Sequence, residues 1–547
     1  MKNKFTLLLC VLCLVNLSTL MAQCGGGSAA CMPLKTGNMA LHYGGDVLIN
    51  DQPAQNQRNA NITVAYNGWL YAINTYTTAT TYGITTMKSV DNGKTWTIFS
   101  TYDFGATAEQ TSVDIVAAGT TPADFKIFIS GVRHNFGINY VAWVDRLDPN
   151  TGAVEDEILN ETWSGMIMDI KIASDYRYPA VGASPYSLGI LFSKRSGFDT
   201  IVFYSSADGG MTVGNRYALT GTGWYCNKVA ISYGVCNNWF NGRYFAAWEE
   251  FESGSTDYGH IYTAHSNPTF NSSFTGKICI DSIYADPNIF NYCRNPSIST
   301  MANSTLDNGN SDLTEIILFD RQFTSYDMDV IGYYNEFVPY ATENDNWHEL
   351  LIENSSDYSM ESDINYDPAY NNFMVTYFDS TTLQLPYIVH PLDMTTPDTW
   401  NTITSQYNEG TSLINPFPKV EINPILNMVA DLWTQERGGG LGATTFDAEY
   451  TPVGIGTQNQ SATAKLEGAF PNPCSASTRI RFDLASQENV SVVFYNVYGQ
   501  KMTELNQNCS SGKTDLPVDV SGLPCGNYIY RFTAGDFMAS GRITVMR

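Results

Sequence analysis

The chain has 547 residues, 13% of them aromatic and only 15% charged, and a formal net charge of −25. So acidic a chain repels polyphosphate and anionic headgroups, which excludes nucleic acid as a partner and docking on anionic lipid by charge. Its length leaves room for a large core and more than one domain.

Residues 1–22 carry the parts of a secretory signal: Lys2 and Lys4, an apolar stretch over 5–20, and small Ala22 at the cleavage point. That stretch is shorter than the roughly 20 residues of a membrane span, and no later segment is apolar enough to be one. A lipoprotein would use Cys24, but Gln23 stands where a small residue is expected. The mature protein is therefore expected beyond the inner membrane, where disulfides form. Cys24 with Cys31, Cys226 with Cys236, and Cys279 with Cys293 are near enough in sequence to close small loops. Cys10 and Cys13 leave with the signal, and no C-x-x-C spacing occurs among the cysteines that remain, so the spacing points to neither zinc nor redox chemistry, and no cofactor is expected.

Residues 23–451 lack helical periodicity and are rich in Tyr, Thr, Val, Ile, Phe and Trp, which suit a pleated surface. An alternating strand, a loop and a second apolar strand ending in polar residues recur seven times. The copies begin near Asn61, Ser112, Met168, Asn227, Pro296, Glu361 and Pro418. A period of about 50 to 70 residues, with two further strands in most copies, fits four-stranded blades of a β-propeller. The seventh copy lacks one strand, and a strand near residues 45–50 has no copy of its own, so donating it would close the ring. A six-bladed ring with one irregular copy is the alternative. The expected fold class is all-β: this propeller followed by a small β-sandwich.

Ser89, Asp91, Gly93, Thr95 and Trp96 fill the pattern S-x-D-x-G-x-T-W, and Ser206, Asp208, Gly210 and Thr212 repeat it with Val213 in the aromatic place. These segments resemble the Asp boxes (BNR repeats) of sialidase-like propellers. The resemblance implies a structural role on the face opposite the site, and no catalysis by Asp91 or Asp208. The local chemistry agrees: an Asp carboxylate caps turn amides and Gly permits positive φ.

Alternation of strand direction then sends the ends of the second strands to the other, upper face. The ligand-binding candidates read from those ends are Arg133, His134, Arg195, Glu249, Glu250, Arg321, Asp379, Glu436 and Arg437, with Lys194 and Asp320 beside them. The loops leading into the first and fifth copies add Arg58 and Arg294, and Trp224, Tyr225, Trp239 and Phe251 lie near enough to stack on sugar rings. Strand ends are commonly charged because they are solvated, which is the plain alternative for each residue taken singly. The sialidase set of three arginines, a Tyr–Glu pair and an Asp finds no residue-by-residue match. Arg294-Asn295-Pro296 is the nearest segment to that family's Arg-Ile-Pro motif. A carboxylate pair among Glu249, Glu250, Asp379 and Glu436 keeps hydrolysis open. The oxygen-rich loop at 307–312 is a weak calcium candidate without the EF-hand pattern. The leading expectation is a propeller that binds a glycan or protein; the alternatives are a sialidase-like glycoside hydrolase and an adhesion protein with the propeller as scaffold.

Residues 452–467 are polar and small, as a linker is. From 468 to 547, short alternating strands separated by Gly and Pro turns return. Pro471-Asn472-Pro473, Asn496-Val497-Tyr498-Gly499-Gln500 and Leu523-Pro524-x-Gly526-x-Tyr528 follow in order. This tail resembles the type A sorting domain of the type IX secretion system of the Bacteroidota. The resemblance implies an Ig-like module, the type IX machinery as partner, and delivery to the outer-membrane surface or the medium.

Overall fold

The computed structural model describes residues 46–546, apart from 120, 176–185, 196–199, 215, 221–223, 235–242, 253–258, 267–273, 275–276, 282–291, 303–312, 325–326, 338–346, 354–357, 368–371, 392–404, 409–411, 424–427, 438, 451–463, 473, 497–500, 525 and 535–536. The signal, Cys24, Cys31, Cys236, Trp239 and the 307–312 loop therefore lie outside the described residues. The chain divides into two compact units, one up to Glu449 and one from Tyr450. Among the described residues no helix is long and apolar enough to cross a membrane.

The first unit is built of seven four-stranded antiparallel sheets. Their first strands are Asn56–Val64, Ala108–Ala118, Ile167–Ser174, Trp224–Gly234, Tyr292–Ala302, Ser359–Asp367 and Lys419–Asn423. Each first strand packs on that of the next sheet, and the seventh packs on the first, so the sheets close a ring in the manner of a β-propeller. Val47–Leu48 pairs with Gly442–Tyr450 and supplies the seventh sheet's fourth strand. Second and third strands are apolar on both faces, as in Leu70–Thr77 and Leu188–Lys194, because each sheet is covered by a neighbour on either side. Trp248 and Trp433 lie fully buried between sheets.

Two short turns join third to fourth strands. In the first, Asp91 accepts hydrogen bonds from the Thr95 amide (2.9 Å) and hydroxyl (2.6 Å), and Ser89 Oγ accepts the Gly93 amide at 2.8 Å. In the second, Asp208 accepts the amides of Met211 and Thr212 at 3.0 and 2.9 Å. Both turns dock on the preceding sheet: Gly93 against Phe446 and Gly210 against Phe128.

The second unit has a three-stranded sheet (Ala464–Phe470, Ser477–Leu484, Gly512–Asp519) and a four-stranded one (Lys501–Cys509, Glu488–Asn496, Gly526–Ala534, Phe537–Val545). Their inner faces share one core in which Phe482 and Phe532 meet at 4.8 Å. Ala464–Phe470 begins within the segment expected to be linker.

Candidate functional site

Six of the first strands carry a β-bulge near their upper ends, at Arg58/Asn61, Gln110/Ser112, Ile167/Asp169, Cys226/Val229, Arg294/Ser297 and Met360/Asp363. Asn59, Asn295 and Glu361 take positive φ of 52°, 52° and 59° within them. A bulge breaks strand alternation and re-aims side chains, here toward the ring axis. First-strand residues of every sheet, from Asn59 round to Phe417, enclose a small axial cavity of about 80 Å³. Below it lies a second cavity of about 240 Å³, lined by the same strands.

Among the described residues, carboxylates near this axis tie sheets to their neighbours through backbone amides at four of the seven junctions. Asp114 accepts the Ile172 amide at 2.8 Å, Asp169 the Val229 amide at 3.2 Å, and Asp320 the Glu361 amide at 2.8 Å. Glu361 and Asp363 then accept the amides of Phe417 and Val420, each at 3.0 Å. Lys171 donates to Asp169 at 3.2 Å and Lys419 to Asp363 at 3.1 Å. Burial pushes the Asp114 carboxyl up to about 6. Asp169 is equally buried, yet Lys171, Lys228 and hydrogen bonds from Ser112 and the Val229 amide hold it at about 2. Among the donors so satisfied, the Val229 and Glu361 amides lie at bulges, where strand pairing is broken.

One corner of the upper face differs, because its groups mostly answer side chains. Glu249 is 2% exposed and turned toward the fifth sheet. It accepts from Asn227 Nδ2 at 3.0 Å and, at 3.5 Å, from the Tyr292 hydroxyl. Burial raises its carboxyl above the usual range, against the hydrogen bond from Asn227 and the charges of Lys228 and Arg294. Arg294 stands over the Tyr292 ring at 5.8 Å and within 3.8 Å of Asp320. Burial pushes Asp320 up to about 7, opposed by Asn295 and Arg294. Arg195, exposed on the third sheet, adds its field at Tyr292. Gly259 sits 3.3 Å, measured from an added Cβ, from Glu249 Oε1, so any larger residue there would crowd the carboxylate.

The other upper-face candidates do not join this corner. Glu250 points to the opposite side of its sheet, accepting from Trp248 Nε1 at 2.7 Å and pairing with Lys277. Arg321 is buried and pairs with Glu349 at 3.5 Å. Asp379 caps its own turn through the amides of Thr381 and Thr382 at 2.9 and 3.1 Å. Glu436 accepts the Gly440 amide at 3.0 Å, and Arg437 donates to the Asn50 carbonyl at 3.1 Å. His134 stacks on Tyr140 at 4.2 Å, while Arg133 lies 5.9 Å from Phe104. Arg58 belongs to the bulge of the first sheet, where its carbonyl accepts the Thr75 hydroxyl at 3.0 Å. Tyr225 and Phe251 meet edge to face at 5.6 Å. Tyr292, Asn227, Lys228 and Glu361 were not among the sequence candidates. They precede the second strands from which those were read, and no motif marks them.

A profile of the family described as "Secretion system C-terminal sorting domain" matches residues 468–546. This is the sorting domain of type IX secretion, and it marks the chain for export to the cell surface or beyond. No curated protein sequence matches the chain. Among solved structures, a protein of unknown function from Dyadobacter fermentans is similar at 10% identity and TM-score 0.42, covering 75% of this chain and 98% of its own. The GH93 α-L-arabinofuranosidase of Fusarium graminearum, in complex with arabinobiose, aligns at 11% identity and TM-score 0.37, with 74% and 97% covered. The polysaccharide lyase Uly1 aligns at 9% and 0.40, with 77% and 94% covered.

Proposed function

We propose that this chain is a type IX cargo whose first unit is a seven-bladed propeller of the Asp-box kind, bounded at about residues 23–451. A linker and an Ig-like sorting module follow it, and a polar glycan binds at the upper corner formed by Glu249, Tyr292 and Arg294. The observation that carries this reading is the Glu249–Tyr292 contact at 3.5 Å with Arg294 beside it. Here Glu249 of the fourth sheet meets the Tyr292 hydroxyl of the fifth, with Arg294 beside it, instead of capping its own turn. A carboxylate, a phenol and a guanidinium supply acceptor, amphipathic donor and fork-shaped donor within one sugar's reach.

Hydrolysis is the second reading, favoured by Asp320, whose carboxyl burial pushes up to about 7, with Glu249 raised in the same direction nearby. A carboxyl that keeps its proton near neutrality is what a general acid requires. Three converging arginines, which a sialidase would need, are not part of this corner.

The test is a glycan array probed with the purified mature chain, followed by an assay for released reducing ends. Wild type is expected to retain a glycan class, and E249Q to lose more than about tenfold in affinity, the cost of one hydrogen bond to a charged group. Binding untouched by E249Q and Y292F would remove the corner from the reading. Turnover abolished by E249Q would replace the binding reading with the hydrolytic one.

A further inference from the structure

At the upper rim of the fourth sheet, beside the fifth, three metal-ligating side chains gather that C-x-x-C spacing does not announce, with a fourth, Cys293, next to them. His260 Nδ1 lies 2.7 Å from Asp281 Oδ2, and Cys279 Sγ lies 3.3 Å from Asp281 Oδ1. The ligand atoms of these three residues all fall within 4.8 Å of one another. Cys293, fully buried on the fifth sheet's first strand, hydrogen-bonds the same Asp281 carboxylate and lies in the field of Cys279. Asp281 is 1% exposed and His260 37%, so the group is closed below and reached from solvent past the imidazole.

The repeat itself supplies the control. One sheet earlier, the same backbone positions hold Thr200, Ala218, Thr220 and Cys226. There the Ile201 amide donates to Thr220 Oγ1 at 2.9 Å, Thr200 and Thr220 share a hydrogen bond at 2.6 Å, and Cys226 reaches Thr200 at 3.3 Å. In the sixth sheet Asn408 Oδ1 accepts the equivalent amide, that of Leu385, at 2.7 Å. Asp281 does the same for Ile261 at 2.9 Å. Closing a sheet here needs one neutral acceptor, which Thr or Asn provides. An imidazole, a full carboxylate and a second thiol exceed that need, and they appear together at this one junction.

We infer that His260, Cys279 and Asp281 form a binding site for a zinc-class divalent cation at the edge of the fourth sheet, with Cys293 of the fifth sheet, held against Asp281, as the candidate fourth ligand. One sulfur, one nitrogen and one oxygen lie within 4.8 Å of one another, and a second sulfur against Asp281 would complete a set that suits tetrahedral zinc. On binding, each thiol gives up its proton to solvent and its sulfur lone pair to the metal. The imidazole contributes a neutral nitrogen, and the His260–Asp281 hydrogen bond is exchanged for two metal bonds. Because a thiol must lose its proton to bind the metal, affinity falls as pH is lowered.

The test uses the purified full-length mature chain, stripped with a chelator under reducing conditions and titrated with zinc. One equivalent is expected to bind, to shield Cys279 and Cys293 from alkylation, and to raise Tm. Cobalt in its place is expected to give the near-ultraviolet charge-transfer absorption of thiolate ligation. D281N keeps the amide acceptor, as Asn408 shows, so it folds and is expected to weaken zinc by more than about tenfold. C279S is expected to weaken the cobalt band by half or more, while C226S, one junction away, leaves it intact. The inference is overturned if zinc neither binds stoichiometrically nor protects the thiols, or if D281N and C279S bind like wild type. It is equally overturned if non-reduced peptides of the exported protein carry a Cys279–Cys293 disulfide.

Discussion

Gln57 in the first sheet accepts the backbone amide of Thr444 in the seventh at 2.8 Å, although 387 residues separate them. Its Nδ-equivalent amide nitrogen, Nε2, donates at 2.8 Å to the carbonyl of Asn50, just beyond the donated strand. One buried side chain thus holds the seam where the ring closes. Q57A would leave the Thr444 amide and the Asn50 carbonyl without this partner, at a cost of about 2–4 kcal/mol. Chemical denaturation monitored by tryptophan fluorescence should show that loss, and a change under about 0.5 kcal/mol would contradict it.

The same seam is buttressed from below. A Cβ on Gly93 would lie 2.2 Å from Phe446 Cε1, and the residue has φ +85°. G93A combines a left-handed backbone penalty with overpacking, and about 2–4 kcal/mol of destabilisation is expected. A matched loss in F446L G93A, below the sum of the two single variants, would locate the effect at this contact in a double-mutant cycle.

Glu315, buried between the fourth and fifth sheets, has the Thr263 hydroxyl at 3.0 Å, and burial pushes its carboxyl up to about 8. An unfolded Glu titrates near about 4.3. The native state therefore holds a proton that the unfolded state releases between these values. Its stabilising contribution is complete below the unfolded value and is lost as pH rises through about 8. E315Q is expected to flatten the pH dependence of unfolding over this window by up to about 1.4 kcal/mol per pH unit. An unchanged slope in urea titrations at pH 5, 6.5 and 8 would show that the carboxyl ionises freely.

Removal of residues 468–547 is expected to strand the folded first unit in the periplasm. Fractionation of the native host would detect it, and normal surface delivery of the truncated chain would refute a sorting role for the tail. The two units have separate cores, so the truncated chain should keep the thermal transition of the first.

Much of this architecture was legible because burial imposes period two on a strand and repetition exposes it. The seven first strands, several of which begin three to five residues before the expected points, the orphan strand at 45–50 and both Asp-bearing turns stand in the sequence as local patterns. The site was not legible in the same way. Glu249 and Glu250 read alike, yet pleating sends one to Tyr292 and the other to Lys277. Asp379 and Glu436 sit at strand ends as expected, but the turns beside them claim their oxygens. Which residues reach the axis depends on where six bulges break alternation, and a bulge leaves almost no mark in composition.

The sequence by itself determined the period, the strands, the structural turns and the delivery tail, because each depends on neighbours a few residues away. Only the tertiary structure decided which charges meet. Asp114 finds Ile172 and Glu249 finds Tyr292 because ring closure sets sheets side by side, and His260 finds Asp281 because strand pairing within the fourth sheet sets them together. Those partners come from different strands or different repeats. Their proximity is fixed by strand pairing and by the packing of sheet on sheet, and spacing along the chain does not record it.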